Sequence, residues 1–127
     1  MGINQRVITS PLLFGTDATD AARVVWPYAE KGKLEAVYLE NGVLISADNT
    51  NNVTISGTMN STTIFSRQTN VAGGALAQGV ESQSLGASMV GEKLEVSAGD
   101  TIALNVAKAG TGPNYRVQVS LVFNLIN

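Results

Sequence analysis

Arg116-Val117-Gln118-Val119-Ser120-Leu121-Val122-Phe123-Asn124-Leu125 decides the fold of this chain. Val117, Val119, Leu121, Phe123 and Leu125 occupy every second position. Successive strand side chains point to opposite faces, so the stretch reads as a strand with one buried side. Thr101-Ile102-Ala103-Leu104-Asn105-Val106 repeats the pattern, with Ile102, Leu104 and Val106 on one face and Ala103 and Asn105 on the other. Lys108-Ala109-Gly110-Thr111-Gly112-Pro113-Asn114 lies between them, and its glycines and proline mark a reversal rather than a helix. Together they predict the antiparallel heart of a β-sandwich.

Working outward, Leu94-Glu95-Val96-Ser97 reads as a strand that an Ala98-Gly99-Asp100 turn joins to the next. Further strands are predicted at Arg6-Val7-Ile8-Thr9-Ser10, Arg23-Val24-Val25-Trp26, Leu34-Glu35-Ala36-Val37-Tyr38-Leu39, Val53-Thr54-Ile55-Ser56 and Thr62-Thr63-Ile64-Phe65-Ser66. Pro11 and Pro27 stop the first two of these, because proline has no N–H to give a ladder. Thr16-Asp17-Ala18-Thr19-Asp20 and Lys31-Gly32-Lys33 read as turns. Asn41-Gly42 is a strong hairpin signal, which would return Val43 to Ser46 along the preceding strand. Residues 70–91 hold five glycines and read as a long connection with a short strand near Gln83 to Leu85. The expectation is all-β: an antiparallel, jelly-roll-like β-sandwich of about eight strands without substantial helix, over 22–127, preceded by an extended arm at 1–21.

A chain of 127 residues supports one domain with a real core. Only 14% of it is charged, against about 25% in typical domains, so the surface is largely neutral and polar, a composition suited to assembly. The net charge of −2, with lysines and arginines scattered, argues against a nucleic-acid partner. No segment approaches the roughly 20 apolar residues of a membrane helix, and the first residues lack the apolar core of a signal peptide, so no membrane partner is expected.

With no histidine or cysteine, Ser-His and Cys-His catalysis and most zinc chemistry are absent. Carboxylates remain. Glu92 and Glu95, Glu35 and Glu40, and Asp17 and Asp20 are the close pairs, but Glu35 and Glu40 sit an odd number apart, on opposite faces of a regular strand. Solvated surface charge is the simpler account, and no enzyme activity and no cofactor are expected. Asp48-Asn49-Thr50-Asn51-Asn52 superficially resembles a calcium loop, yet Val53 and Met59 stand where an EF-hand needs Gly and Glu, so a turn is expected and no metal site. Asn52-Val53-Thr54 and Asn60-Ser61-Thr62 match the glycosylation pattern by coincidence of a Thr/Asn-rich β surface.

Val122 faces away from the apolar row of its strand, as Ala36 and Tyr38 face away from Val37 and Leu39. Strands with two partly apolar faces and few edge charges suit a subunit that buries surface against copies of itself or a partner.

Leu34-Glu35-Ala36-Val37-Tyr38-Leu39-Glu40-Asn41-Gly42-Val43 and Ala47-Asp48-Asn49-Thr50-Asn51-Asn52-Val53-Thr54-Ile55-Ser56 carry a resemblance to a known family. With Val96-Ser97-Ala98-Gly99-Asp100-Thr101-Ile102-Ala103-Leu104 and Gly110-Thr111-Gly112 after them, the chain resembles the small jelly-roll capsid decoration, or cement, proteins of tailed bacteriophages. The resemblance implies a virion structural protein, a dimer or trimer on the outer capsid surface at two-fold or quasi-three-fold axes. It would be made in the host cytoplasm, and would bridge major capsid subunits against the pressure of packaged DNA. The contacts expected with the major capsid protein or with copies of itself are Pro11, Leu12, Leu13 and Phe14, if that patch is exposed, and Gly73 and Gly74 of the long connection. A carbohydrate- or receptor-binding jelly-roll domain of a phage fibre or tail tip is the rival, with Trp26, Tyr28 or Tyr115 stacking on a sugar beside Asp48 or Asn51. A small enzyme with convergent carboxylates, or a β-sandwich of no assigned role, are the others.

Overall fold

The computed structural model describes residues 4–15, 19–111 and 113–126. In chain order the strands are β1 (Gln5–Thr9), β2 (Leu13–Gly15), β3 (Thr19–Val25), β4 (Lys31–Asn41), β5 (Asn52–Met59), β6 (Thr62–Gln68), β7 (Gly79–Gln83), β8 (Glu95–Val96), β9 (Thr101–Ala109) and β10 (Tyr115–Ile126). Helical structure among the described residues is limited to a 3₁₀ turn at Gly91–Leu94. One sheet has the order β1-β10-β4-β7, with β2 continuing beside β10 and β8 beside β4; the other has the order β3-β9-β5-β6. Every ladder is antiparallel. Each interrupted edge fills one strand position, so the layers hold four positions each and the chain alternates between them in jelly-roll order. The all-β sandwich expected from the sequence is the one observed.

The two stretches that decided the fold are not neighbours, contrary to the hairpin reading. β10 lies inside one sheet, flanked by β1 and β2 on one side and β4 on the other. β9 lies inside the other, between β3 and β5. The connection after Ala109 therefore crosses between layers; its Gly112 is outside the described residues. The inward row Val117, Val119, Leu121 and Phe123 and the inward row Ile102, Leu104 and Val106 are all buried in one shared core. Burying each such side chain contributes about 1.5–3 kcal/mol.

Two bulges re-phase the alternation. Val122 pairs with Ala36 and Phe123 with Leu34, which leaves Glu35 as an extra residue on β4. Leu34 and Val37 both point inward as a result, and Glu35 and Glu40 are both exposed on the outer face, where unbroken alternation would have separated them. On β6 the extra residue is Ile64, between Thr63 opposite Thr58 and Phe65 opposite Gly57, so Ile64 and Phe65 are buried consecutively. Phe65 packs over Gly57, where an added Cβ would come within 3.0 Å of its ring.

The turns depart from expectation where tertiary contacts decide. Val43 to Ser46 does not return along β4, because β10 occupies one side of that strand and β7 and β8 the other. Buried Asn41 instead donates from Nδ2 to the carbonyls of Val43 (2.6 Å), Leu76 (3.1 Å) and Ala77 (3.1 Å), while Ile45 bridges Leu76. The tight hairpin is at Asn60-Ser61, both at positive φ (50° and 66°), within the stretch that matched a glycosylation pattern. Lys31-Gly32-Lys33 is the start of β4 rather than a turn. Of the predicted turn at 16–20, residues 16–18 lie outside the described residues and Thr19 and Asp20 begin β3.

The segment read as an extended arm supplies β1 and β2, both laddered to β10, so it forms an edge of the sheet. Pro11 interrupts that edge as expected. Ser10 bridges the gap: its N–H donates to the Val119 carbonyl (2.8 Å) and its Oγ accepts from the Val119 N–H (3.0 Å). The long connection at 70–91 contains β7, slightly earlier than the short strand expected there.

Trp26 closes the far end of the core. It is 1% exposed, its ring lies 4.8 Å from that of Phe123, and its Nε1–H donates to the Glu30 carbonyl at 2.8 Å. The indole lies across Gly32, where an added Cβ would stand 2.5 Å from Trp26 Cη2. Gly32→Ala should therefore displace the indole and destabilise the fold by about 1–3 kcal/mol, read as a lower urea midpoint with red-shifted Trp26 emission.

Candidate functional site

Three segments converge at the opposite end of the sandwich. Alternation along β2 sends Leu13 into the core at 2% exposed and Phe14 outward at 64% exposed. Phe14 stands opposite Arg116, the outward residue before the inward row of β10. The chain leaving β4 adds Val43 and Leu44, both exposed. Leu12, Phe14, Val43, Asn114, Tyr115 and Arg116 surround a groove of ≈ 440 Å³. A second groove of ≈ 230 Å³ shares Leu12 and Arg116 and adds Glu40, Gly42 and Gln118. Arg116 stands between them. Its aliphatic stem lies along Gly42, where a Cβ would meet Arg116 Cδ at 3.2 Å, and its carbonyl accepts from the Gly42 N–H at 2.8 Å.

The predicted contact residues divide. Pro11, Leu12 and Phe14 are exposed together, whereas Leu13 is a core residue. The expectation that Leu13 contacts a partner is corrected by strand alternation. Gly73 and Gly74 line neither groove. Their glycines serve a tight turn, since a Cβ at Gly73 would stand 2.0 Å from the Gln68 carbonyl oxygen and Gly74 has φ 84°. Val43, Leu44 and Arg116 were not singled out by the sequence. The signal for Arg116 was available: it precedes Val117 and must face outward if Val117 faces in.

The three aromatics expected to meet a sugar do not present open ring faces together. Trp26 is buried, and Tyr115 is 2% exposed, presenting only the inner wall of the groove. Half-buried Tyr28 has the Trp26 ring at 4.9 Å, and the Arg6 guanidinium sits over its face at 5.3 Å. Burial in the core corrects the expectation for Trp26 and Tyr115, and Trp26 emission should accordingly be blue-shifted, with weak acrylamide quenching.

The Asp48 loop is a polar turn. Its Oδ1 accepts from the Thr50 N–H (2.7 Å) and the Asn51 N–H (2.8 Å). Those two bonds, Asn51 first, hold the carboxyl below its ordinary pKa. Asn49 Oδ1 accepts from the Val71 N–H (2.9 Å) and Asn51 Oδ1 from the Thr111 N–H (2.9 Å), so this loop ties its neighbours together. No group of three or more Asp or Glu is placed to hold a metal ion among the described residues.

Arg67 joins the two layers at one open side. Its Nε donates to Glu81 Oε1 at 2.7 Å and its terminal nitrogens to the carbonyls of Gln68, Gly74 and Ala75, linking β6, β7 and the connection between them. The hydrogen bond from Arg67 lowers the Glu81 pKa against the opposing effect of burial. Both Asp48 and Glu81 titrate lower in the folded chain than unfolded. Their stabilisation is therefore present above the unfolded carboxylate pKa and is lost as pH falls through the depressed values. The urea midpoint should fall from about pH 5 downward, and Glu81→Gln should lower it at neutral pH while flattening that acid limb.

Fold and surface describe a jelly-roll sandwich with an exposed apolar end around one arginine. No protein-family model matches the chain, and no curated protein matches it. Among solved structures it is similar to a chain of the "Cyanophage Pam1 capsid asymmetric unit", at 21% identity and a TM-score of 0.57. The match covers 99% of this chain and 89% of that one, so it spans the whole sandwich rather than one layer. The phage resemblance carried by the sequence is thus matched by the fold of a phage capsid chain.

Proposed function

We propose that this chain is a capsid decoration protein, a structural component that sits on the outer surface of a phage shell and cements neighbouring major capsid subunits. The observation that carries the proposal is the end-to-end likeness to a phage capsid chain. The surface fits a seated subunit. On the outer face of the β3-β9-β5-β6 sheet, Ala21, Ala103, Asn105, Ala107, Thr54, Ser56, Thr58, Thr63 and Ser66 are small and neutral, with Arg23 their charged neighbour. On the other outer face, Val7, Val122 and Ala36 stand in register as a short apolar row. Such faces approach another surface without stranding charge.

The role is mechanical rather than catalytic. Each copy would lie across a seam between capsid subunits, and binding to the assembled shell stabilises it by mass action. Association of the copies into a dimer or trimer would make attachment multivalent, so that modest contacts add to a strong bridge. The purified protein should sediment as a stable dimer or trimer, bind undecorated phage shells at fixed stoichiometry, and raise their disruption temperature. A monomer that leaves shells unbound would sink the proposal.

A further inference from the structure

We infer that the groove between Phe14 and Val43 docks an extended segment of the capsid protein, in which an apolar side chain is flanked by Asp or Glu and the carboxylate pairs with Arg116. This deepens the decoration proposal and rests on it. Three observations specify that occupant. Leu12, Phe14 and Val43 are exposed around a groove that buried Tyr115 also lines, and ≈ 440 Å³ suits one or two large side chains. Arg116 makes no ion pair among the described residues, the one described pair being Arg67 with Glu81. Its stem lies along Gly42, and it lines both grooves beside the apolar walls. An arginine within an aromatic and aliphatic rim is the composition of an interface hot spot, and its fork matches a carboxylate.

The third observation is the strand itself. Among the described residues β2 ladders only to β10, so its other side is a short edge there that an extended segment can follow. A two-fold contact of this end with a second copy fits less well. It would bring two Arg116 side chains together in a seam that excludes water, and like charges there are unfavourable.

The test replaces Phe14 with the photo-reactive p-benzoylphenylalanine, irradiates the full-length protein on undecorated shells, and maps the cross-linked peptide. Arg116→Glu, Arg116→Lys and, as a control away from both grooves and both sheet faces, Lys93→Glu are titrated against the same shells, with each variant's solution mass measured. The cross-link should fall on a capsid segment with Asp or Glu within a few residues of an apolar side chain. Arg116→Glu should weaken binding about a hundredfold or more, Arg116→Lys far less, and Lys93→Glu not at all, with solution mass unchanged throughout. Undiminished binding by Arg116→Glu, a cross-link to a segment without acidic residues, or one only to a second copy would each overturn the inference while decoration stands. Failure of the unsubstituted protein to bind shells would instead remove the decoration proposal, and this one with it.

Discussion

Everything in this molecule hangs on two inward rows meeting: Val117, Val119, Leu121 and Phe123 of β10, and Ile102, Leu104 and Val106 of β9. Each row lies at the interior of its own sheet, so every other strand takes its place by laddering outward from one of them. With no cysteine to staple the chain, that shared core and the backbone ladders hold the fold together. The two open ends of the core are closed differently. Trp26 packs against Phe123 and Gly32 at one end. At the other, Leu13 goes inward and Leu12, Phe14 and Val43 are left facing out.

That asymmetry links fold to function. A chain that placed a leucine on one side of β2 had to place its neighbours on the other, and neighbours chosen for solubility alone would be polar. Phe14 and Leu12 are apolar, and Arg116 beside them is exposed with its stem along Gly42. The outer face of the β3-β9-β5-β6 sheet is mostly small and neutral, while polar side chains of the Asp48 loop hold backbone groups. Under the docking inference this end is the one that would meet the capsid protein, which would give the chain a defined orientation on the shell.

Much of the architecture was legible in the sequence because period-two alternation survives wherever a strand is regular. β5, β9 and β10 were placed from it directly, and the sandwich followed. What alternation cannot show is where it slips. The extra residues Glu35 and Ile64 change the inward set within a strand, and only the partner strand's register reveals them. Asn41-Gly42 misled for a related reason: its local preference for a hairpin gives way to a buried amide with three carbonyl partners and a strand whose two sides are taken. The exposed apolar end was half legible. Pro11 to Phe14 stood out as an apolar run, but the run divides between core and surface, and Val43, Leu44 and Arg116 join it only when three distant segments fold together. Trp26 and Tyr115 were offered to a sugar by type, and burial assigns them to the core.

The most direct measurement is a cryo-electron microscopy reconstruction, at side-chain resolution, of shells decorated with this protein. The account predicts copies on the outer surface over seams between capsid subunits, with the Leu12, Phe14 and Arg116 end against the shell and an acidic side chain at Arg116. Density with that end turned to solvent, or shells without added density, would contradict it.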